Sequence, residues 1–217
     1  MLFDVTAACA NVRNRDGKRV FYLGSGDQLN SAARDWLQAE RIEILPAAMA
    51  KPERYRLESG GYLEEKPENM THLHGNVLVR KDHPRIAFRG AVDTLEAEIL
   101  LCGQALPHLR TELEQLLKQA RSLIRAEVLS ESVELLKLCG LSQEELRSHS
   151  HRPQDFYGKP HFMPDFDDGG VLQLNRLRCA VRETERMAVA AIPEREDILQ
   201  ALNRMSSAVY ILMIREK

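Results

Sequence analysis

Residues 171–191 read VLQLNRLRCAVRETERMAVAA and residues 195–215 read REDILQALNRMSSAVYILMIR, with Pro193 between them. In the first stretch Leu174, Leu177, Val181, Thr184 and Ala188 recur at spacings of three and four, the period of one helix face. In the second, Ile198, Leu202, Met205, Val209 and Leu212 recur in the same way. Two long amphipathic helices joined at a proline predict a chain whose core is helix packed on helix.

Working back from this pair, the same period holds. Ala87–Ala105 carries Val92, Leu95, Ile99 and Cys102 on one face. Pro107 opens a second helix with Leu109, Leu113, Leu116, Leu117, Ala120, Leu123 and Ile124. Val133–Cys139 reads as a third short helix ending at Gly140, and Ser142-x-x-Glu145 as a capping box opening one that runs to about Arg147. Residues 148–170 read as a loop rich in His, Pro, Gly and Asp, too long to be mere connection. The expected fold is mainly α: a five-helix bundle over residues 85–217 with a small N-terminal α/β appendage. In that appendage, residues 1–45, Val20–Leu23 and Ile42–Leu45 are strand-like and flank a helix capped by Asn30. Residues 46–84, punctuated by Pro46, Pro52, Gly60, Gly61, Pro67 and Pro84, read as an irregular linker or lid.

Composition bounds the function. Thirty basic side chains face 32 acidic ones among 217 residues, a net charge of −2. That balance argues against a nucleic-acid partner while leaving room for a local basic site. No apolar run approaches the ~20 residues a membrane-spanning helix needs, and the start MLFD lacks the basic and apolar regions of a signal peptide. Cys9, Cys102, Cys139 and Cys179 stand singly, as suits a reducing cytoplasm, with no metal or redox spacing.

Four groups of residues could carry chemistry. Arg178, Arg182 and Glu185 share a face of the helix over 171–191. Glu185 can neutralise one arginine, and the other calls for a carboxylate from elsewhere or a phosphate; a solvated helix face is the alternative. Asn203, Ser206, Ser207 and Tyr210 form a polar stripe on the last helix, with Arg204 beside it. Asp93 lies among apolar helix positions, where Arg178 or Arg182 is a natural partner. His149, His151 and His161, with His72 and His74, could offer metal ligands, though they form no helical i, i+4 pair and have no cysteine pair nearby.

Several separated motifs in order resemble the ethanolamine-utilization type of ATP:cob(I)alamin adenosyltransferase. They are Asp197 to Tyr210, Val181-Arg182-Glu183-Thr184-Glu185, Thr71-His72-Leu73, and Lys81-Asp82-x-Pro84-Arg85-x-x-Phe88-Arg89-x-Ala91-x-Asp93. The loop Ser150-His151-x-Pro153…Gly158…His161-x-x-Pro164 belongs with them. A more distant similarity reaches the propanediol-utilization type, through Gly90 to Leu95, through Leu174, Arg178, Arg182, Glu185 and Arg186, and through Asn203-Arg204-Met205-Ser206, with Ser207 in place of that family's aspartate.

The resemblance implies transfer of the 5′-deoxyadenosyl group of ATP to reduced cobalamin. Asp93 would pair with Arg178, and these two with Arg182 would serve catalysis. Lys81, Arg85, Arg182, Glu185, Arg186 and Asn203 would hold ATP with Mg²⁺. His161, Phe162, Ser206 and Tyr210 would meet the cobalamin, with Phe162 or His161 displacing its lower ligand. It further implies a cytoplasmic homo-oligomer, a trimer in the propanediol type, acting beside a flavin-type reductase and ethanolamine ammonia-lyase within reach of a bacterial microcompartment. Residues 46–70 hold no cysteine, so the cysteine metal motif of some relatives is not expected. The competing reading is a helical module that binds nucleotide or corrinoid without catalysis.

Overall fold

The computed structural model describes residues 1–15, 17–50 and 55–217. The chain divides into two compact units, Met1–His83 and Pro84–Lys217; Pro52 lies outside the described residues.

The first unit is more extensively β than its sequence suggests. Strand β1 (Leu2–Phe3) leads into helix α1 (Val5–Ala10), then β2 (Val12–Arg15), β3 (Lys18–Leu23) and β4 (Gln28–Leu29). Helix α2 (Ser31–Ala39) follows, with the Asn30 side chain accepting from the Ala33 amide as its spacing suggested. Strand β5 (Glu43–Pro46) pairs in parallel with β3. The stretch expected to be irregular instead contributes β6 (Tyr55–Leu57), β7 (Tyr62–Leu63), β8 (Met70–His74) and β9 (Val77–Arg80). With β2, β3 and β5 they make a seven-stranded sheet in the order β5-β3-β2-β7-β6-β9-β8. Gly60, Gly61 and Pro67 fall between these strands, where their backbone preferences belong, while Pro46 ends β5 and Pro84 opens the next helix. Phe21 is fully buried and meets Phe3 edge-on, ring centroids 5.2 Å apart, over Ala33 and Leu37.

The second unit is the helical bundle. It comprises α3 (Pro84–Ala105), α4 (Arg110–Leu129), α5 (Gln143–His151), α6 (Pro153–Tyr157), α7 (Gly169–Ala191) and α8 (Glu196–Glu216). Helix α3 packs against α4 and α7, α7 against α8, and α8 against α5. From Ala208 to Ile214 every residue of α8 is buried, as for a helix enclosed by neighbours on all sides. The apolar stripes read from the sequence on α3, α7 and α8 all face the core. Truncating one such leucine to alanine costs about 2–5 kcal/mol.

Two local expectations are corrected. Val133–Cys139 is not helical. Its backbone groups, lacking a helical ladder, bond side chains of other segments. Gln119 Oε1 accepts from Leu136 N at 2.8 Å and its Nε2 donates to Glu134 O at 3.1 Å. Gln115 accepts from Cys139 N, Asp197 from Val133 N, and Gln143 donates to Leu136 O. Part of the expected 148–170 loop is helical. The Ser142–Glu145 capping box opens α5, which continues to His151, and Pro153 starts α6. Gly158, at φ +65°, ends α6 in the left-handed region that favours glycine.

Candidate functional site

Helix α7 turns Arg178 and Arg182 toward the polar stripe of α8 because each follows its apolar stripe by one residue, as Arg178 follows Leu177. Between these helices and the segment after α6 lies a cleft of about 360 Å³. Arg178 and Arg182 line one wall, Asn203, Ser206, Ser207 and Tyr210 the floor, and His161, Phe162 and Met163 the rim. Ser150 and His151, from the end of α5, complete it.

Tyr210 is the hub. Its hydroxyl lies 2.9 Å from His161 Nδ1, and the two rings stack with centroids 5.7 Å apart. His161 Nε2 lies 3.2 Å from the His151 carbonyl. A carbonyl only accepts, so in the neutral ring Nε2 carries the proton and Nδ1 accepts from the tyrosine. Phe162 stacks on the same tyrosine, centroids 6.2 Å apart. The Arg178 guanidinium lies 5.1 Å from the Tyr210 ring centroid, a cation–π contact.

The charge state of the cleft departs from the rest of the bundle. Most other arginines of the bundle meet carboxylates: Arg85 and Arg89 share Glu127, Arg176 meets Glu98, Arg186 meets Glu183, and Arg195 meets Asp197, while Arg215 lies over the Tyr157 ring. Among the described residues, the cleft arginines Arg178 and Arg182 have no carboxylate within 4.0 Å, and neither do Arg147 and Arg204 outside its lining. The Nε of Arg178 is buried without a hydrogen-bond partner. Glu185 instead accepts from Asn203 Nδ2 at 3.3 Å. Burial and the nearby charge of Arg147 hold the Arg204 guanidinium below its usual range. Uncompensated guanidinium groups beside hydroxyls and an amide suit an anionic ligand.

Not every candidate residue gathers here. Asp93 is exposed on α3 and makes no ion pair with Arg178 within the chain. Its neighbour Val92 takes the inward position, which turns Asp93 about 100° away. Arg85 is held by Glu127, which is fully buried between Arg85 and Arg89 and also receives Arg85 at its backbone carbonyl. That node borders a different, polar cavity of about 420 Å³ with Arg195 and Asp197. Arg186 is exposed beside Glu183, and Lys81 is exposed at the end of β9 in the first unit. Ser150, His151 and Met163 were not singled out for the cleft in the sequence; for His151 the signal was its adjacency to the His161 loop. No cluster of three His, Cys, Asp or Glu side chains suited to a metal occurs among the described residues. Cys102 and Cys139 are buried, and burial raises their thiols to about 11 and about 12, which keeps them protonated. No helix is long and apolar enough to cross a membrane, among the described residues.

The model of one family, described as cobalamin adenosyltransferase, matches residues 61–216. The chain is 35% identical over 158 residues to the protein named corrinoid adenosyltransferase EutT of Escherichia coli K12. It is 34% identical over the same length to the protein of that name from Salmonella typhimurium LT2. These alignments take in 69% of the chain and 59% of each relative's length.

Proposed function

Because the chain belongs to the cobalamin adenosyltransferase family, we propose that it is an ATP:corrinoid adenosyltransferase. It would transfer the 5′-deoxyadenosyl group of ATP to the reduced cobalt of cobalamin. The observation that carries this reading is the pair of uncompensated arginines on α7. They face the Asn203–Tyr210 stripe across a cleft closed at its rim by Phe162.

In this reading the cobalt(I) of the corrinoid substrate attacks C5′ of ATP, and the C5′–O bond breaks toward the polyphosphate. Arg178 and Arg182 receive the charge that accumulates on that leaving group, with Mg²⁺ arriving on the nucleotide. Asn203, held by Glu185, orients the nucleotide, and holding both reactants in line lowers the entropic barrier. Phe162 and the His161–Tyr210 pair form an apolar and hydrogen-bonded rim that keeps water and a lower axial ligand off the cobalt. We take α3, α4, α5, α7 and α8 as the five-helix bundle of this enzyme type. Residues 1–45 and 46–84 remain accessory, and Arg85 and Arg186 support the nucleotide from outside the cleft.

We extend the same reading to context. The product would serve ethanolamine ammonia-lyase in the cytoplasm, near a bacterial microcompartment, with a flavin-type reductase supplying low-valent cobalt. The active form would be a homo-oligomer, in which exposed Asp93 is available to a second copy. The experiment is direct. Purified protein, MgATP and chemically reduced cobalamin should yield adenosylcobalamin, followed by visible absorption. Binding of both substrates without conversion would overturn the enzymatic reading in favour of a non-catalytic module.

A further inference from the structure

We propose that the first unit holds a ligand site of its own, a cavity of about 840 Å³ that takes a mononucleotide, with the flat ring against Trp36 and Tyr62 and the phosphate on Arg56. This goes beyond the adenosyltransferase reading and does not depend on it. Every residue of the lining belongs to the first unit, and all but Gly61 and Tyr62 precede residue 61, where the family match begins.

Helices α1 and α2 and strands β2, β3, β6 and β7 contribute to the lining. The volume lies in the range of small-molecule sites, about 300–1,000 Å³, which combine apolar walls with a few placed polar groups. Val5, Val12 and Leu57 supply the apolar wall, and Trp36 and Tyr62 two half-buried rings. Such rings keep apolar surface in contact with water, which a flat ligand ring would cover by offset stacking. The Arg13 guanidinium lies 5.6 Å from the Tyr62 centroid and holds that ring on its strand.

The charge of the lining has one sign. Arg19 and Arg56 line the cavity, and among the described residues no aspartate or glutamate does. Arg19 is already met by Glu40 at 2.9 Å. Arg56, on β6, is exposed and has no carboxylate within 4.0 Å among the described residues. Its planar fork of donors matches a phosphate. Thr6, Asn14 and Ser59 add neutral donors and acceptors for a ring edge or sugar hydroxyls. A flat ring and a phosphate on one frame of this size make a mononucleotide. Two sources share that chemistry, a purine nucleotide and a flavin nucleotide.

Trp36 is the single tryptophan of the chain, so its fluorescence reads the first unit. Cys9 lines the cavity and is exposed, and Cys179, exposed on α7, is an internal control. The test titrates the full chain with AMP, FMN, adenosine and riboflavin, and follows alkylation of both thiols by mass spectrometry. AMP or FMN should quench Trp36 saturably and slow alkylation of Cys9 but not of Cys179, and whichever does so identifies the source. The matching nucleoside or riboflavin, lacking the phosphate, should bind about tenfold more weakly. R56Q changes an exposed side chain and leaves the core packing alone. It should weaken the nucleotide about tenfold, remove its advantage over the phosphate-free ligand and leave adenosyl transfer unchanged. No saturable quenching by either nucleotide up to about 1 mM overturns the proposal. So does quenching without protection of Cys9, or an affinity that R56Q leaves unchanged. Failure of adenosyl transfer in the parent chain would sink the enzymatic reading and leave this site standing.

Discussion

The Tyr210 hydroxyl lies 2.9 Å from His161 Nδ1, while the Arg178 guanidinium sits 5.1 Å from the same ring. One side chain of α8 therefore touches both the arginine wall and the segment carrying Phe162. Nothing else in the cleft bridges the two by contacts of this kind among the described residues.

Tyr210→Phe separates those two contacts. The ring, its stacking on His161 and Phe162, and the cation–π contact all survive, while the hydrogen bond is lost. A net hydrogen bond contributes about 0.5–1.5 kcal/mol, so corrinoid affinity should fall roughly two- to tenfold. ATP affinity should hardly move, and the thermal midpoint should fall by no more than about 2–6 °C. Titration of each ligand, with calorimetry as control, distinguishes this from a loss of fold.

Arg182→Ala should act on the nucleotide. Arg182 is exposed and unpaired, so its removal leaves no buried group stranded and the helical content should persist. Charge-assisted hydrogen bonds contribute about 1.5–3 kcal/mol, which predicts ATP binding weakened by roughly one to two orders of magnitude. Near-normal turnover of this variant would remove the α7 arginines from the mechanism.

The helices were legible because their apolar residues repeat at 3.6 and their ends carry recognisable caps, Asn30 and Ser142 among them. The strands β6 to β9 were not. They are two to five residues long, too short for alternation to show against the intervening prolines and glycines. Val133–Cys139 looked helical in composition, and what prevents it is non-local: Gln115, Gln119 and Asp197 come from elsewhere in the chain to take its backbone groups. Spacing put Arg178 and Arg182 on one face of α7 and Asn203 on a polar stripe of α8, and only the family resemblance joined the two. Which arginines would lack a carboxylate was invisible, because that depends on where every Glu and Asp of the neighbouring helices ends up. Glu127 shows the converse. An acid in the apolar stripe of α4 escaped notice, although Arg85 and Arg89, one turn apart on α3, were a signal for a shared carboxylate.

Glu127→Ala should be among the most damaging single changes in the bundle. Its carboxylate is fully buried and accepts from Arg89 Nε at 2.6 Å as well as from Arg85. Removing one partner of a buried ion pair costs about 3–5 kcal/mol, because the buried carboxylate that both arginines meet is lost. Glu127→Gln keeps the shape and one acceptor and should cost less. Urea unfolding of the two variants measures the difference, and equal, small losses would mean that water already compensates these arginines.

Gln119→Ala tests the non-helical segment. The glutamine is 1% exposed, and its amide serves Leu136 N and Glu134 O together. Each backbone group left unsatisfied costs about 1–3 kcal/mol if water cannot reach it. Amide exchange should therefore accelerate at Leu136 more than in α8, whose own ladder is untouched.

Asp197 gives the bundle an acid-sensitive contact. The Arg195 hydrogen bond holds its carboxyl down at about 2, against an ordinary value of 3.8, with the Val133 amide adding to the effect. The unfolded chain therefore takes up a proton on this group at a higher pH than the folded chain does. The stabilisation is complete above the ordinary value and is lost as pH falls through the folded one. Asp197→Asn cannot titrate. Its unfolding free energy should be lower than that of the parent at neutral pH, by about 1.5–3 kcal/mol for a charge-assisted contact. The gap should narrow as the pH drops from about 4 toward 2. Denaturant melts of both proteins across that window measure the gap, and parallel curves would show that Asp197 contributes nothing to the acid sensitivity of the bundle.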